Sequence, residues 1–151
     1  MLTTFRPLLD AALDVDLSDP VRAQAELVRR FDPKSPRAAE LNRALVALLE
    51  ERKIADRGEP PVRWSRVAKA TPESSNFSID AVDMNGPGPH HAHPGGEVNW
   101  CVALEGDPRF DGRPAGWVVM PPGSAHVPTV SGGRMLIVYL LPGGRIEFTK
   151  A

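Results

Sequence analysis

All four histidines of this 151-residue chain fall between residues 90 and 126, in two proline-rich and glycine-rich segments. The first is Pro89-His90-His91-Ala92-His93-Pro94-Gly95-Gly96-Glu97 and the second is Pro121-Pro122-Gly123-Ser124-Ala125-His126. In an extended strand alternate side chains share a face, so His91 and His93 project together and His90 points away. The Pro94-Gly95-Gly96 turn then brings Glu97 back to the same face, and His126 supplies a third imidazole from across the structure. Three imidazoles and a carboxylate suit a divalent transition metal, Fe, Mn, Zn, Ni or Cu, rather than Ca or Mg.

Such a site does useful chemistry only with open coordination positions. An octahedral metal held by His91, His93, Glu97 and His126 keeps two, whereas a tetrahedral one is closed unless Glu97 swings away. Glu97 is therefore expected to be both a metal ligand and the catalytic group, alternating between coordination and proton transfer. Strand parity with Glu97 puts Asn99 and Cys101 on its face and Val98, Trp100 and Val102 on the other. Asn99 is a candidate substrate contact, Cys101 reads as a small core residue, and Tyr139 either stacks on a ring or fills the interior.

The elements that must position these groups are short β-type runs. After Arg57-Gly58-Glu59-Pro60-Pro61 most of the 16 prolines and 13 glycines appear. They separate Val62 to Ala70, Phe77 to Met84, Glu97 to Leu104, Trp117 to Met120 and Arg134 to Leu141, a pattern that predicts an antiparallel sandwich or barrel. Asp107 to Pro114 reads as a turn-rich hairpin connection, with Arg109 over the mouth. Residues 1–57 read instead as three amphipathic helices. Leu8, Leu9, Ala12 and Leu13 recur at helical spacing; Asp19-Pro20 and Ser35-Pro36 are start signals. The second helix is expected to bury Val21, Ala25, Val28 and Phe31, and the third Ala38, Leu41, Leu45, Leu48 and Leu49. The helical region, 1–57, is expected to pack on the barrel, 58–151, or to form a homodimer interface.

A charged fraction of 25% and a net charge of −1 give no nucleic-acid footprint and no pull toward an anionic membrane. No apolar run approaches the ~20 residues needed to span a bilayer. The single cysteine forms no intrachain disulfide, and acidic residues stand where a signal peptide needs an apolar run, so a cytoplasmic location is expected. The expected partners are a small molecule and a second copy of the chain.

The two histidine segments resemble the paired motifs of the cupin superfamily, whose first motif supplies His, His and Glu and whose second supplies the last His. A closer resemblance runs through Gly95-Gly96-Glu97, Glu105 to Val119, Pro121 to His126 and Tyr139-Leu140-Leu141-Pro142, together with the helical N-terminal region. On these residues the chain is similar to the 4-hydroxylaminobenzoate lyase family. That resemblance implies a mainly β cupin barrel, a double-stranded β-helix with a helical N-terminal region. It also implies a metal-dependent lyase that turns 4-hydroxylaminobenzoate into protocatechuate with release of ammonia, in the degradation of nitroaromatic acids.

For an aromatic carboxylate the fork of an arginine is the natural receptor, and Arg134 and Arg66 are the candidates. Two other readings use the same barrel: a non-haem iron dioxygenase acting on an aromatic substrate, which needs dioxygen, and a non-catalytic small-molecule-binding module. Fold alone does not choose among them.

Overall fold

The computed structural model describes residues 1–148, so the last three residues of the expected barrel lie outside the described residues. The chain begins with α1 (Leu2–Ala12), α2 (Pro20–Arg30) and α3 (Pro36–Glu50). The starts follow the sequence signals: the Asp19 carboxylate accepts from the backbone N–H of Arg22 at 3.2 Å, and the Ser35 hydroxyl from that of Ala38 at 3.2 Å. In α1, Phe5, Leu8, Leu9 and Ala12 are buried, while Leu13 is exposed. In α3, Ala38, Leu41 and Leu45 are buried as expected.

Of the expected face of α2 only Phe31 is buried, and Ala25 is exposed. Ala23 and Leu27 are buried and Phe31 caps the same face, whereas Val21 is 78% exposed and Val28 is exposed too. Leu27 is four residues before Phe31 and four after Ala23, a full i,i+4 line, and Gln24 beside it donates to the carbonyl of Trp117 at 2.6 Å. A short helix carrying two incompatible apolar lines is settled by what it packs against.

The strands are β1 (Arg57–Glu59), β2 (Val62–Ala68), β3 (Phe77–Met84), β4 (His91–His93), β5 (Glu97–Phe110), β6 (Gly116–Met120), β7 (Ser124–His126), β8 (Val130–Pro142) and β9 (Glu147–Phe148). A six-stranded sheet in the order β1-β2-β3-β8-β5-β6 faces a three-stranded sheet in the order β7-β4-β9, and every pairing is antiparallel. The fold class is therefore the expected one, mainly β with a helical N-terminal region. Among the described residues no helix is long and apolar enough to cross a membrane.

Two strands run further than the sequence indicated. Asp107 to Phe110 belongs to β5, not to a connection, and the reversal is confined to Asp111-Gly112-Arg113. Bulges after Ala103 and after Gly106 let a proline and extra residues ride in the strand. They rely on glycine opposite: a Cβ on Gly133 would stand 1.9 Å from the carbonyl oxygen of Glu105, so no other residue fits.

Side-chain parity divides the large sheet into two cores. Val98, Trp100 and Val102 of β5, Trp117 and Val119 of β6, and Leu136, Val138 and Leu140 of β8 point outward into one cluster with the buried faces of all three helices. The indoles of Trp100 and Trp117 stack edge-on at 4.9 Å, and each is tied to the helical region: Trp100 Nε1 donates to Asn42 Oδ1 at 2.8 Å and Trp117 Nε1 to the carbonyl of Phe31 at 2.9 Å. The opposite parity, including Cys101, Val118, Met135, Ile137 and Tyr139, points into the barrel.

Candidate metal centre

Within the barrel His91, His93, Glu97 and His126 converge. One ligand atom from each lies within 4.8 Å of all the others. Around a metal with bonds of ~2.1 Å, donor atoms stand roughly 3 to 4.2 Å apart, so the cluster needs little contraction to hold an ion. β4 places His91 and His93 on one face, and β7 pairs with it so that His126 is directly opposite His91. The turn between His93 and Glu97 closes with the N–H of Gly96 donating to the carbonyl of His93 at 3.0 Å. Gly96 has φ +86°, and a Cβ there would meet the carbonyl oxygen of Met120 at 2.9 Å, which is why glycine precedes Glu97.

Outer hydrogen bonds fix what each imidazole presents. The Ser124 hydroxyl donates to the carbonyl of Pro121 at 2.5 Å, so its oxygen accepts from Nδ1 of His93 at 2.7 Å. His93 Nε2 is thereby left as a bare lone pair. It is fully buried without a hydrogen-bond partner and stands 3.2 Å from Glu97 Oε2. His126 Nδ1 likewise donates to Asp111 Oδ2, which leaves its Nε2 lone pair turned inward. His91 Nε2 is 2.9 Å from His126 Nε2 and 3.2 Å from Glu97 Oε2. Lone pairs and a carboxylate oxygen aimed at one point repel unless a cation joins them, and these residues fit a divalent metal on that ground.

The electrostatics agree. Burial lowers the pKa of His93, the imidazoles of His126 and His91 act in the same direction, and Glu97 opposes them, so the neutral, ligating form is favoured. At Asp111 burial acts upward, but the hydrogen bonds from His126 and from the Thr129 N–H hold its carboxyl below the usual range. Asp111 and Ser124 are the functional residues that sequence reasoning missed. The Pro-Pro-Gly-Ser-Ala-His spacing contained a signal for Ser124, two residues before His126. Asp111 sat unnoticed in a turn.

Glu97 and Asn99 are both wholly buried, and Asn99 Nδ2 donates to Glu97 Oε1 at 2.6 Å, so Asn99 holds the carboxylate oxygen that faces away from the imidazoles. Asn99 Oδ1 is buried without a partner. Tyr139 is buried beside the site, its ring centroid 6.4 Å from that of His91 and its hydroxyl 3.8 Å from Met84 Sδ. Burial, followed by the charge of Glu97, pushes its phenol well above its ordinary pKa. Burial likewise raises the Cys101 thiol, which reads as core. His90 is half-buried and outside the cluster, and Arg109 is exposed.

A cavity of about 420 Å³ adjoins the cluster, with His91 and Tyr139 in its wall and Trp64, Arg66, Met84 and Phe148 around it. Arg134 is not brought there. It lies five residues before Tyr139 on a regular stretch of β8, hence on the opposite face. Its guanidinium is taken by Asp83 at 2.8 Å and Glu105 at 2.7 Å.

Among solved structures, the fold is similar to a cupin-like protein from Thermotoga maritima, with a TM-score of 0.43 and 17% identity over 65% of this chain and 86% of that one. An RmlC-like cupin from Ralstonia eutropha gives a TM-score of 0.43 and 14% identity over 61% of this chain and 62% of that one. In sequence, a 4-hydroxylaminobenzoate lyase from Nocardioides sp. (strain LMS-CY) is 37% identical over 97 residues, 59% of this chain and 57% of that protein. One from Pseudomonas putida is 33% identical over 105 residues, 59% of this chain and 60% of that protein. The chain thus spans about three fifths of the length of these relatives. The family model described as "PnbB: 4-hydroxylaminobenzoate lyase" matches residues 8–148, all but the chain's two ends, and the chain belongs to that family.

Proposed function

We propose that this protein is a metal-dependent lyase that converts 4-hydroxylaminobenzoate to protocatechuate with release of ammonia. The observation that carries the metal is the buried, unpartnered Nε2 of His93, aimed with His126 Nε2 at the Glu97 carboxylate. Family membership supports the substrate and the reaction class. His91, His93, His126 and Glu97 would hold a divalent Fe, Mn, Zn or Ni ion, which supplies Lewis acidity toward the hydroxylamine oxygen. The reaction consumes one water and releases one ammonia with no net redox change.

The chain's own residues handle binding and protons. Released from the metal, Glu97 takes up a proton from solvent at Oε2, passes it to the departing hydroxyl and later takes one from the incoming water as base, while Asn99 steadies it through Oε1. Trp64, Tyr139 and Phe148 in the cavity wall offer apolar and aromatic surface to the ring. Self-association as a homodimer belongs to this reading, and a monomer mass in solution at micromolar concentration would remove it.

The experiment is a Glu97→Gln variant assayed for bound metal and for ammonia and protocatechuate formed. Loss of turnover by ~100-fold or more with metal retained is expected, in line with general acid–base catalysis. A variant that binds metal and turns over normally contradicts the role. Turnover that persists under strict anaerobiosis excludes the dioxygenase reading.

A further inference from the structure

The cavity beside His91 is mostly apolar, and away from His91 and Tyr139 its wall carries an ion pair. Arg66 of β2 and Asp80 of β3 both line it, side by side on the inner face of the sheet. Arg66 Nε donates to Asp80 Oδ1 at 2.7 Å and Nη2 to Oδ2 at 3.2 Å, a side-on fork. A guanidinium has five N–H groups in one plane. Those two bonds leave the outer edge, Nη1 with the second N–H of Nη2, as a pair of parallel donors.

The register shows where that edge stands relative to the metal ligands. Arg66 pairs with Asp80, Asp80 with Tyr139, and Tyr139 with Asn99, the residue that holds Glu97, so one inner-face row crosses four adjacent strands. Three strand spacings amount to ~14 Å between the backbones of β2 and β5. The Arg66 and Glu97 side chains both project inward from the sheet, so their ends are a similar distance apart, a gap that a para-substituted benzene ring with a hydrogen bond at each end can span.

We propose that Arg66, positioned by Asp80, receives the ring carboxylate of the substrate and makes the site selective for para-carboxylated aromatic hydroxylamines. This rests on the lyase reading above. Asp80 offsets part of Arg66's charge, yet it fixes the fork in advance, so little side-chain freedom is lost on binding. Selectivity therefore comes from two directed hydrogen bonds more than from net charge.

The test compares 4-hydroxylaminobenzoate with phenylhydroxylamine, which lacks the carboxylate, on metal-loaded protein. The variants are Arg66→Lys and the double variant Arg66→Gln with Asp80→Asn, which replaces the ion pair by a neutral pair of similar shape and leaves no carboxylate stranded. The double variant is expected to raise KM for 4-hydroxylaminobenzoate ~10- to 100-fold, the worth of hydrogen bonds to a charged group, and to leave kcat and the KM for phenylhydroxylamine almost unchanged. Arg66→Lys should fall between. Equal changes for both substrates, or none for either, overturn the proposal. If the unaltered protein releases ammonia from neither compound, the lyase reading fails, and calorimetric binding of 4-hydroxybenzoate against phenol still decides. A preference for the carboxylate that vanishes in the double variant sustains the role of Arg66, and one that persists overturns it.

Discussion

The two faces of β5 carry opposite kinds of order. Val98, Trp100 and Val102 enter a dry cluster closed by helices, while Glu97 and Asn99, on the alternate positions, enter a polar cluster with three histidines. The outer core is held by area removed from water and tolerates exchange of one hydrocarbon for another. The inner cluster is held by directed bonds, and burying it costs stability unless a cation satisfies it. A single strand thus separates folding from function by a two-residue period, and substitutions on the two faces should have separable effects.

The largest separation is expected between His93→Ala and Trp100→Ala. Removing the imidazole should abolish stoichiometric metal binding and ammonia release while the metal-free protein unfolds at nearly the same temperature. Removing the indole should cost ~3–5 kcal/mol in denaturant unfolding, with metal still bound by the folded fraction. If His93→Ala unfolds the metal-free chain and Trp100→Ala leaves it intact, the division of labour is wrong.

A smaller effect is expected one bond further out. Asp111→Asn keeps the shape but removes the charge that holds the His126 Nδ1 proton, and metal affinity should fall ~10- to 100-fold by competition titration, with fold and stability little changed. An unchanged affinity would mean that Asp111 only ends the β5 turn.

The inner cluster was more legible in the sequence than the core that supports it. His91, His93 and Glu97 declare themselves because a strand's period of two and a glycine turn leave one way to bring them together, and His126 follows its own Pro-Pro-Gly turn. Asp111 was hidden because its contact with His126 spans 15 residues and arises from the length of β5, which bulges at glycines extend past the point where alternation stops. The α2 face was ambiguous for a different reason: Val21, Val28 and Leu27 offered two apolar lines, and only the sheet beneath chose between them. Arg134 could have been set apart from Tyr139 by counting alone, since five residues along an unbroken strand reverse the face. Arg66 could not have been favoured by counting, because its place beside Asp80 depends on pairing between strands.

The inner cluster is proposed as a catalytic metal site. Protein stripped with a chelator and assayed for ammonia release from 4-hydroxylaminobenzoate, then titrated with Fe, Mn, Zn or Ni, tests it most directly. Activity should be lost on stripping and restored at about one ion per chain by at least one of these metals. Full activity in the metal-free protein would contradict it.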